Sequence, residues 1–286
     1  MQTRSLRTLA KIARIGSFAA TAEQLNMTLS AVSMQMKTLE RDLDVALFDR
    51  SFRPPKLTPQ GRAIAGRAER LLTAEDELLQ LCSPGNQLVG RFRIGFIATA
   101  SVRLLPDFLR HAGIRAPRAR FDLETGLSEA LEEKVLGGQL DAAVVTASGK
   151  PDPQLDYLTL RVEPLVYALP AAARDRPLDD LVEEMPFLHF APGTGIGKLI
   201  AAYIGRPDGL RPRNTIVLDG VEAIVECVKS GLGLTLLPAA DIGRYADERL
   251  ATRTPQGLEP TRKIVLATLK GSAAHGRRAL LEALFR

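Results

Sequence analysis

Apolar positions follow a helical period over roughly the first ninety residues and a mixed strand-and-helix rhythm after that. Leu6, Leu9, Ile12 and Ala13 fall on one side of a helix predicted from Arg4 to Ile15, with Gly16 suited to a left-handed cap. Ser17 offers an N-cap oxygen to a second helix, Phe18 to Leu25. Asn26-Met27 breaks that helix, and Thr28 can cap a third, Leu29 to Leu43. Within the third, Val32, Met36, Leu39 and Leu43 follow the i, i+4, i+7 rhythm and are expected to face a core. Ser30, Ser33, Met34 and Lys37 then point the other way.

Serine gains nothing on a merely solvated helix face, because its helix propensity is poor. Small hydroxyl side chains do let a helix approach another surface closely and donate to phosphates and base edges. Ala19, Ala20 and Ala22 would let the second helix pack tightly across the third, which is the logic of a helix-turn-helix. In the following ALFDRSFRPPKLTPQG, Arg50, Arg53 and Lys56 recur at three-residue spacing. Pro54-Pro55 permits only a short edge hairpin, a wing that would set these cations along a phosphate backbone.

Thr58 and Pro59 then open a long helix, with proline in the favoured first turn. Its apolar stripe is Ile64, Ala68, Leu71 or Leu72, Leu78 or Leu79, and Cys82. Arg62, Arg67 and Arg70 give way to Glu75, Asp76 and Glu77, so an antiparallel second copy would bring basic and acidic ends together. SPGNQLVG, Ser83 to Gly90, breaks the helix and marks a domain boundary. From Arg91 strands (RFRIGFIA, RFDLETG, LDAAVVT, PLVYALP, FLHF, TIVLDG, LGLTLLP, KIVLATL) alternate with helical segments. This predicts an α/β fold with a largely parallel sheet.

Charge sharpens the division. Residues 1–70 hold 12 Lys and Arg against 6 Asp and Glu, while the remainder holds 26 against 27. The whole basic excess sits in the first quarter, as expected of a polyanion-binding module joined to a neutral body. No apolar run approaches the ~18 residues of a membrane span. The first residues lack the apolar core and cleavage site of a signal peptide, so a reducing cytoplasm is the expected compartment. The two cysteines, Cys82 and Cys227, have no metal-ligand spacing.

Ser17-Phe18, Ala22, Leu25, Ser30-Ala31-Val32-Ser33, Gln35, Leu39-Glu40, Leu47-Phe48, Arg50, Arg53, Leu57-Thr58 and Gly61 together resemble, without a gap, the signature of LysR-type transcriptional regulators. Leu29 and Met34 depart from the Gln and Arg often found there, and Asp44 from a usual glycine. Farther on, RIG...LLP, GQLDAAV, Pro177-Leu178 and VKSGLGLTLLP fall in family order. The resemblance implies an N-terminal winged helix-turn-helix dominated by α-helix (1–58), a linker and dimerisation helix with its hinge (59–89), and an α/β effector domain (90–286). That domain is periplasmic-binding-protein-like, with subdomain I at about 90–160 plus 271–286 and subdomain II at about 161–270. It implies a sequence-specific transcription regulator. Thr28, Ser30, Ser33, Met34 and Lys37 would lie at the major groove, and Arg50 and Arg53 on the backbone or minor groove. The expected partners are an operator duplex, a small effector and further copies of the chain, as dimer or tetramer, with RNA polymerase a further candidate.

In open α/β sheets ligands bind beyond the carboxyl ends of the strands. Thr99, Ser101, Thr125, Thr146, Thr194 and Gly195 stand at such corners, several of them at helix starts whose unpaired N–H groups attract anions. They are the candidate contacts for a small polar or anionic effector. The competing reading of each is plain capping and turn formation. GTGIGK, Gly193 to Lys198, lacks the spacing of a phosphate-binding loop. His111, His189 and His275 form no metal or catalytic pattern, and no catalytic residue, metal or cofactor is expected. The rival reading is a cytoplasmic solute-binding protein with a basic N-terminal arm.

Overall fold

The computed structural model describes residues 2–81, 87–147, 149–207, 209–257 and 259–286. The chain forms two compact units, Met1–Gly85 and Asn86–Arg286.

In the first unit α1 (Thr3–Ile15) ends at Gly16 in the left-handed region, and α2 (Phe18–Gln24) starts on the Ser17 hydroxyl, which accepts from the Ala20 amide. The Thr28 hydroxyl accepts from the Ala31 amide and starts α3 (Leu29–Leu43). A two-stranded antiparallel wing, β1 (Phe48–Asp49) and β2 (Lys56–Leu57), leads into α4 (Pro59–Leu81). Leu6, Leu9, Ile12, Ala22, Val32, Met36, Leu39, Leu47, Phe48, Ala65 and Ala68 make the core. Three expectations about which residues face the core change. Ala13 is exposed, and α1 instead buries Thr8, whose hydroxyl donates to Gln35 Oε1 at 2.8 Å. On α4 Ala65 and Ala68 are buried in the core, with Ile64 at the margin, because the helix seats small residues against α1. Ala19 is likewise exposed, and only Ala22 of the expected alanine set is buried in the core. Asp44 takes a left-handed conformation at φ 51°, which explains why a glycine suits this corner.

The second unit runs β3 (Gly90–Ile97), α5 (Ala98–Arg115), β4 (Ala119–Gly126), α6 (Ser128–Leu136), β5 (Ala142–Thr146) and β6 (Leu155–Pro170). It continues α7 (Leu178–Glu184), β7 (Phe187–Phe190), α8 (Gly195–Ile204), β8 (Thr215–Leu218), α9 (Val221–Lys229), β9 (Thr235–Pro238) and α10 (Ala239–Ile242). It ends with β10 (Leu250–Arg253), β11 (Thr261–Leu269), α11 (Ala273–Gly276) and α12 (Arg278–Glu282). The main sheet has the order β10-β6-β11-β5-β3-β4, with β9 also on β6, and β7 pairs β8 separately.

Parallel pairing holds for β3 with β4 and β5, and for β7 with β8, where crossover helices join the strands. The expectation of a largely parallel sheet is corrected by β6 and β11. These two long strands pair antiparallel with each other, and β5, β9 and β10 join them antiparallel. Sixteen residues long, β6 serves two cores: Leu155 and Leu160 lie in the first, Leu165, Tyr167, Ala168 and Leu169 in the second. A bulge on this strand leaves Leu160 unpaired, between Thr159 (opposite Val265) and Arg161 (opposite Ile264). The chain returns to the first core along β11, since Ile264, Val265, Leu266 and Ala267 already belong to it. The return therefore precedes residue 271. Cys82 and the first half of the Ser83–Gly90 break, residues 83–86, lie outside the described residues, and Cys227 is a free thiol. No helix among the described residues is long and apolar enough to cross a membrane.

Candidate DNA-reading face and ligand cleft

The two faces of α3 separate cleanly. Val32, Met36 and Leu39 are buried. Thr28, Ser30, Met34 and Lys37 are exposed, and Ser33 is partly so. Met34 keeps 64% of its surface open. The Ser30 hydroxyl lies 3.0 Å from that of Thr28. The wing is fastened to this helix by a residue whose structural role the pattern reading did not foresee. Glu40 Oε1 accepts from the amides of Leu47 and Phe48 at 2.9 and 3.1 Å, and its Oε2 accepts from Arg50 at 2.7 Å. Arg50 is thus engaged within the unit, while Arg53 is exposed at the tip. Lys56 Nζ stands 4.6 Å over the Phe52 ring, a cation–π contact that stiffens the wing. On α4 Glu75 pairs with the Arg7 guanidinium of α1 at 3.0 Å, a partner within its own chain. Leu71 and Leu78, farther out, are 45% and 64% exposed.

In the second unit the six cleft candidates part company. Thr194 Oγ1 is committed to its helix: it accepts from the Gly197 amide and donates to the Ala191 carbonyl. Ser101 Oγ donates to the Ala98 carbonyl at 2.8 Å. These two hydroxyls do the capping and turn work of the plainer reading. Thr125, at the end of β4, is exposed. Thr99 accepts from Arg262 Nη1 at 3.1 Å. Thr146 is buried at the end of β5, its amide donating to Ser128 Oγ, and it packs directly on Gly195. The glycines of GTGIGK are explained by close approach: a side chain at Gly197 would run into the Ala191 carbonyl, and one at Gly195 into Thr146. The three histidines hold structure. His111 meets the Leu284 carbonyl, His189 the Phe190 carbonyl, and His275 the Arg278 guanidinium.

Behind Thr99 lies a buried charge cluster that hydropathy patterning could not reveal. Arg262 on β11 is fully buried and sits directly opposite Glu163 on β6, with Nε–Oε2 at 2.8 Å. Its Nη2 also donates to Asp241 Oδ2 of α10 at 2.9 Å. Arg103 of α5 closes the ring, 2.6 Å from Glu163 and 2.9 Å from Asp241. Two guanidinium groups and two carboxylates cancel, so the cluster offers no spare charge to a ligand. Burial raises the Asp241 carboxyl above its ordinary range, against the opposing pull of Arg262 and Arg103.

The first unit matches the model of the bacterial regulatory helix-turn-helix protein, lysR family, over residues 3–62, and the second the LysR substrate binding domain over residues 85–286. The chain is 30% identical over 249 residues to the HTH-type transcriptional regulator YofA of Bacillus velezensis, covering 87% of this chain and 84% of that protein. It is 29% identical to the HTH-type transcriptional regulator CzcR of Bacillus cereus, over 85% of this chain and 82% of the other. Among solved structures it superposes on a full-length OxyR variant from Pseudomonas aeruginosa with TM-score 0.69 and 25% identity, covering 100% of this chain and 95% of that one. A full-length CbnR complexed with its target DNA shares the fold at TM-score 0.64 and 21% identity, over 100% and 99%. Helix-turn-helix and substrate-binding matches in this order do not favour the rival reading of a carrier with a basic arm. The chain belongs to the LysR family of transcription regulators, a DNA-binding helix-turn-helix unit followed by an α/β effector-binding unit.

Proposed function

We propose that this regulator reads its operator with the open side of α3 and senses a small polar or anionic compound between the two cores of its second unit. Ser30, Ser33, Met34 and Lys37 enter the major groove, with Thr28 at the helix start. Met34 meets an apolar base edge such as a thymine methyl. Arg53 reaches the backbone or minor groove, and Arg50 lies beside it while remaining tied to Glu40. Support comes above all from one observation: α3 seals Val32, Met36 and Leu39 while leaving Ser30, Met34 and Lys37 open.

Two-fold half-sites ask for a two-fold protein, and the exposed Leu71 and Leu78 give α4 an apolar surface for a second copy. Dimers or tetramers, acting in the cytoplasm with RNA polymerase as a further partner, complete the reading. The corners at Thr99, Thr146 and Gly195 supply the effector site, where helix starts meet strand ends. A compound bound there acts only by preferring one spacing of the two cores over another. Regulation is through binding, without catalysis.

A gel-shift titration of the full-length chain on the DNA upstream of its own and adjacent coding regions tests the reading. A saturable, sequence-selective shift that Met34→Ala and Lys37→Ala weaken is expected. Equal binding to every duplex would remove it.

A further inference from the structure

Thr146 and Gly195 join the two cores of the second unit. Thr146 ends β5, whose other residues lie in the first core, and it is 2% exposed. Gly195 opens α8, whose Ile196 and Ile200 lie in the second core. A methyl group at position 195 would stand 2.7 Å from the Thr146 Cβ and 3.1 Å from its Cγ2, closer than carbon atoms approach. So α8 reaches β5 only because residue 195 has no side chain. Beside this contact Lys198 of α8 pairs with Glu129 of α6, but both side chains are more than half exposed, and water weakens the pair. Packing at 146 and 195 is the stronger tie.

An opposing effect is built into the same contact. Thr146 Oγ1 is sealed from solvent and has no hydrogen-bond partner among the described residues. Ser128 Oγ takes the Thr146 amide, not the hydroxyl. A hydroxyl buried without a partner disfavours the arrangement that buries it. Drawing α8 away from β5 would open that hydroxyl to water or to a polar ligand.

We propose that Thr146 and Gly195 form a latch between the subdomains, shut by packing that only glycine permits and kept near its tipping point by the Thr146 hydroxyl. A compound that hydrogen-bonds to Thr146 Oγ1 then selects the open cleft. That last clause rests on the effector role proposed above, whereas the latch belongs to the chain without any ligand.

Two substitutions are expected to act in opposite directions. Gly195→Ala wedges the cleft open. Thr146→Val keeps the shape, removes the unpaired hydroxyl and favours the closed form. Hydrogen exchange on the ligand-free full-length chain reads both, in peptides covering 142–147 and 193–200. Gly195→Ala should speed exchange in both segments and Thr146→Val should slow it. The double variant Gly195→Ala with Thr146→Gly, which deletes the obstructing Cβ, should return to within about twofold of the parent. Thr146→Val adds no bulk and carries the test alone if Gly195→Ala unfolds the unit. Faster or unchanged exchange in Thr146→Val, or a double variant as open as Gly195→Ala, would overturn the latch. Because no ligand is added, failure of the cleft to bind an effector leaves this result where it is.

Discussion

Glu40 and Arg50 are joined carboxylate to guanidinium at 2.7 Å, and the same carboxylate holds the amides of Leu47 and Phe48. The helix proposed to read bases and the wing proposed to grip phosphate are therefore set against each other by one side chain. Hydrogen bonds to a charged group are worth about 1.5–3 kcal/mol, and a half-exposed ion pair less than about 1 kcal/mol. Glu40→Ala should lower the stability of the first unit by about 2 kcal/mol in urea unfolding, and Arg50→Ala by less than about 1 kcal/mol.

Arg53 is exposed at the wing tip and Arg50 is already paired, so the two should differ on DNA. Arg53→Ala should weaken binding to all duplexes alike and flatten the slope of log affinity against log salt by about one unit. Arg50→Ala should change the slope less. Fluorescence anisotropy at several salt concentrations checks both, and equal slopes would place the phosphate contact elsewhere.

Leu71 and Leu78 offer an apolar surface on α4 that its own unit leaves open. A Leu71→Glu, Leu78→Glu double variant should sediment as a monomer and lose most of its affinity for a two-half-site operator. Its isolated first unit should unfold at the parent's urea concentration. An unchanged sedimentation profile would assign the self-contact to another surface.

Arg262 and Arg103 together neutralise two buried carboxylates, Glu163 and Asp241. Arg262→Met fills the space but leaves one of the two buried negative charges uncompensated, which should cost about 3–5 kcal/mol by chemical denaturation. Adding Asp241→Asn should recover most of that loss, since Arg103 is then left one to one with Glu163 at 2.6 Å. A single variant as stable as the parent would mean the cluster is hydrated.

Asp247 is held well below the usual carboxylate range, chiefly by the Arg249 side-chain hydrogen bond and then by Lys229. A carboxyl lowered on folding adds stability that is fully present above its unfolded value of about 3.9 and fades as pH falls through the folded value. Asp247→Asn should therefore leave the neutral-to-acid profile shallower below about pH 4, with parent and variant converging in strong acid. Thermal unfolding between neutral and acid pH measures it.

The first unit was legible almost residue by residue, because its signals are local: Gly16, Ser17 and Thr28 each do what their neighbours in sequence require. The strand-helix alternation of the second unit was equally plain. The antiparallel direction of β6 and β11 was hidden, since strand direction is set by partners far away in the chain. The first half of β6, Leu155 to Val162, does alternate apolar and polar residues from Leu158 to Val162, a strand signal that lies ahead of the PLVYALP run. Arg262 looked like an ordinary charged residue in a charged stretch. Its burial depends on Glu163, nearly a hundred residues earlier, and on α10. Among the cleft candidates, sequence placed Thr194 and Gly195 correctly at a helix start but could not separate a hydroxyl spent on capping from one left unsatisfied.

Leu160 is a spare residue in an otherwise continuous ladder. Side chains alternate faces along a strand, so one extra residue inverts the parity of everything after it. The halves of β6 on either side of Leu160 are thus free of each other's phase, and each can present its own apolar set to its own interior. The bulge absorbs that change of phase without disturbing the pairing with β11, so deleting Leu160 would leave a regular ladder with every partner kept and would cost the first lobe one apolar side chain and the strand its bend.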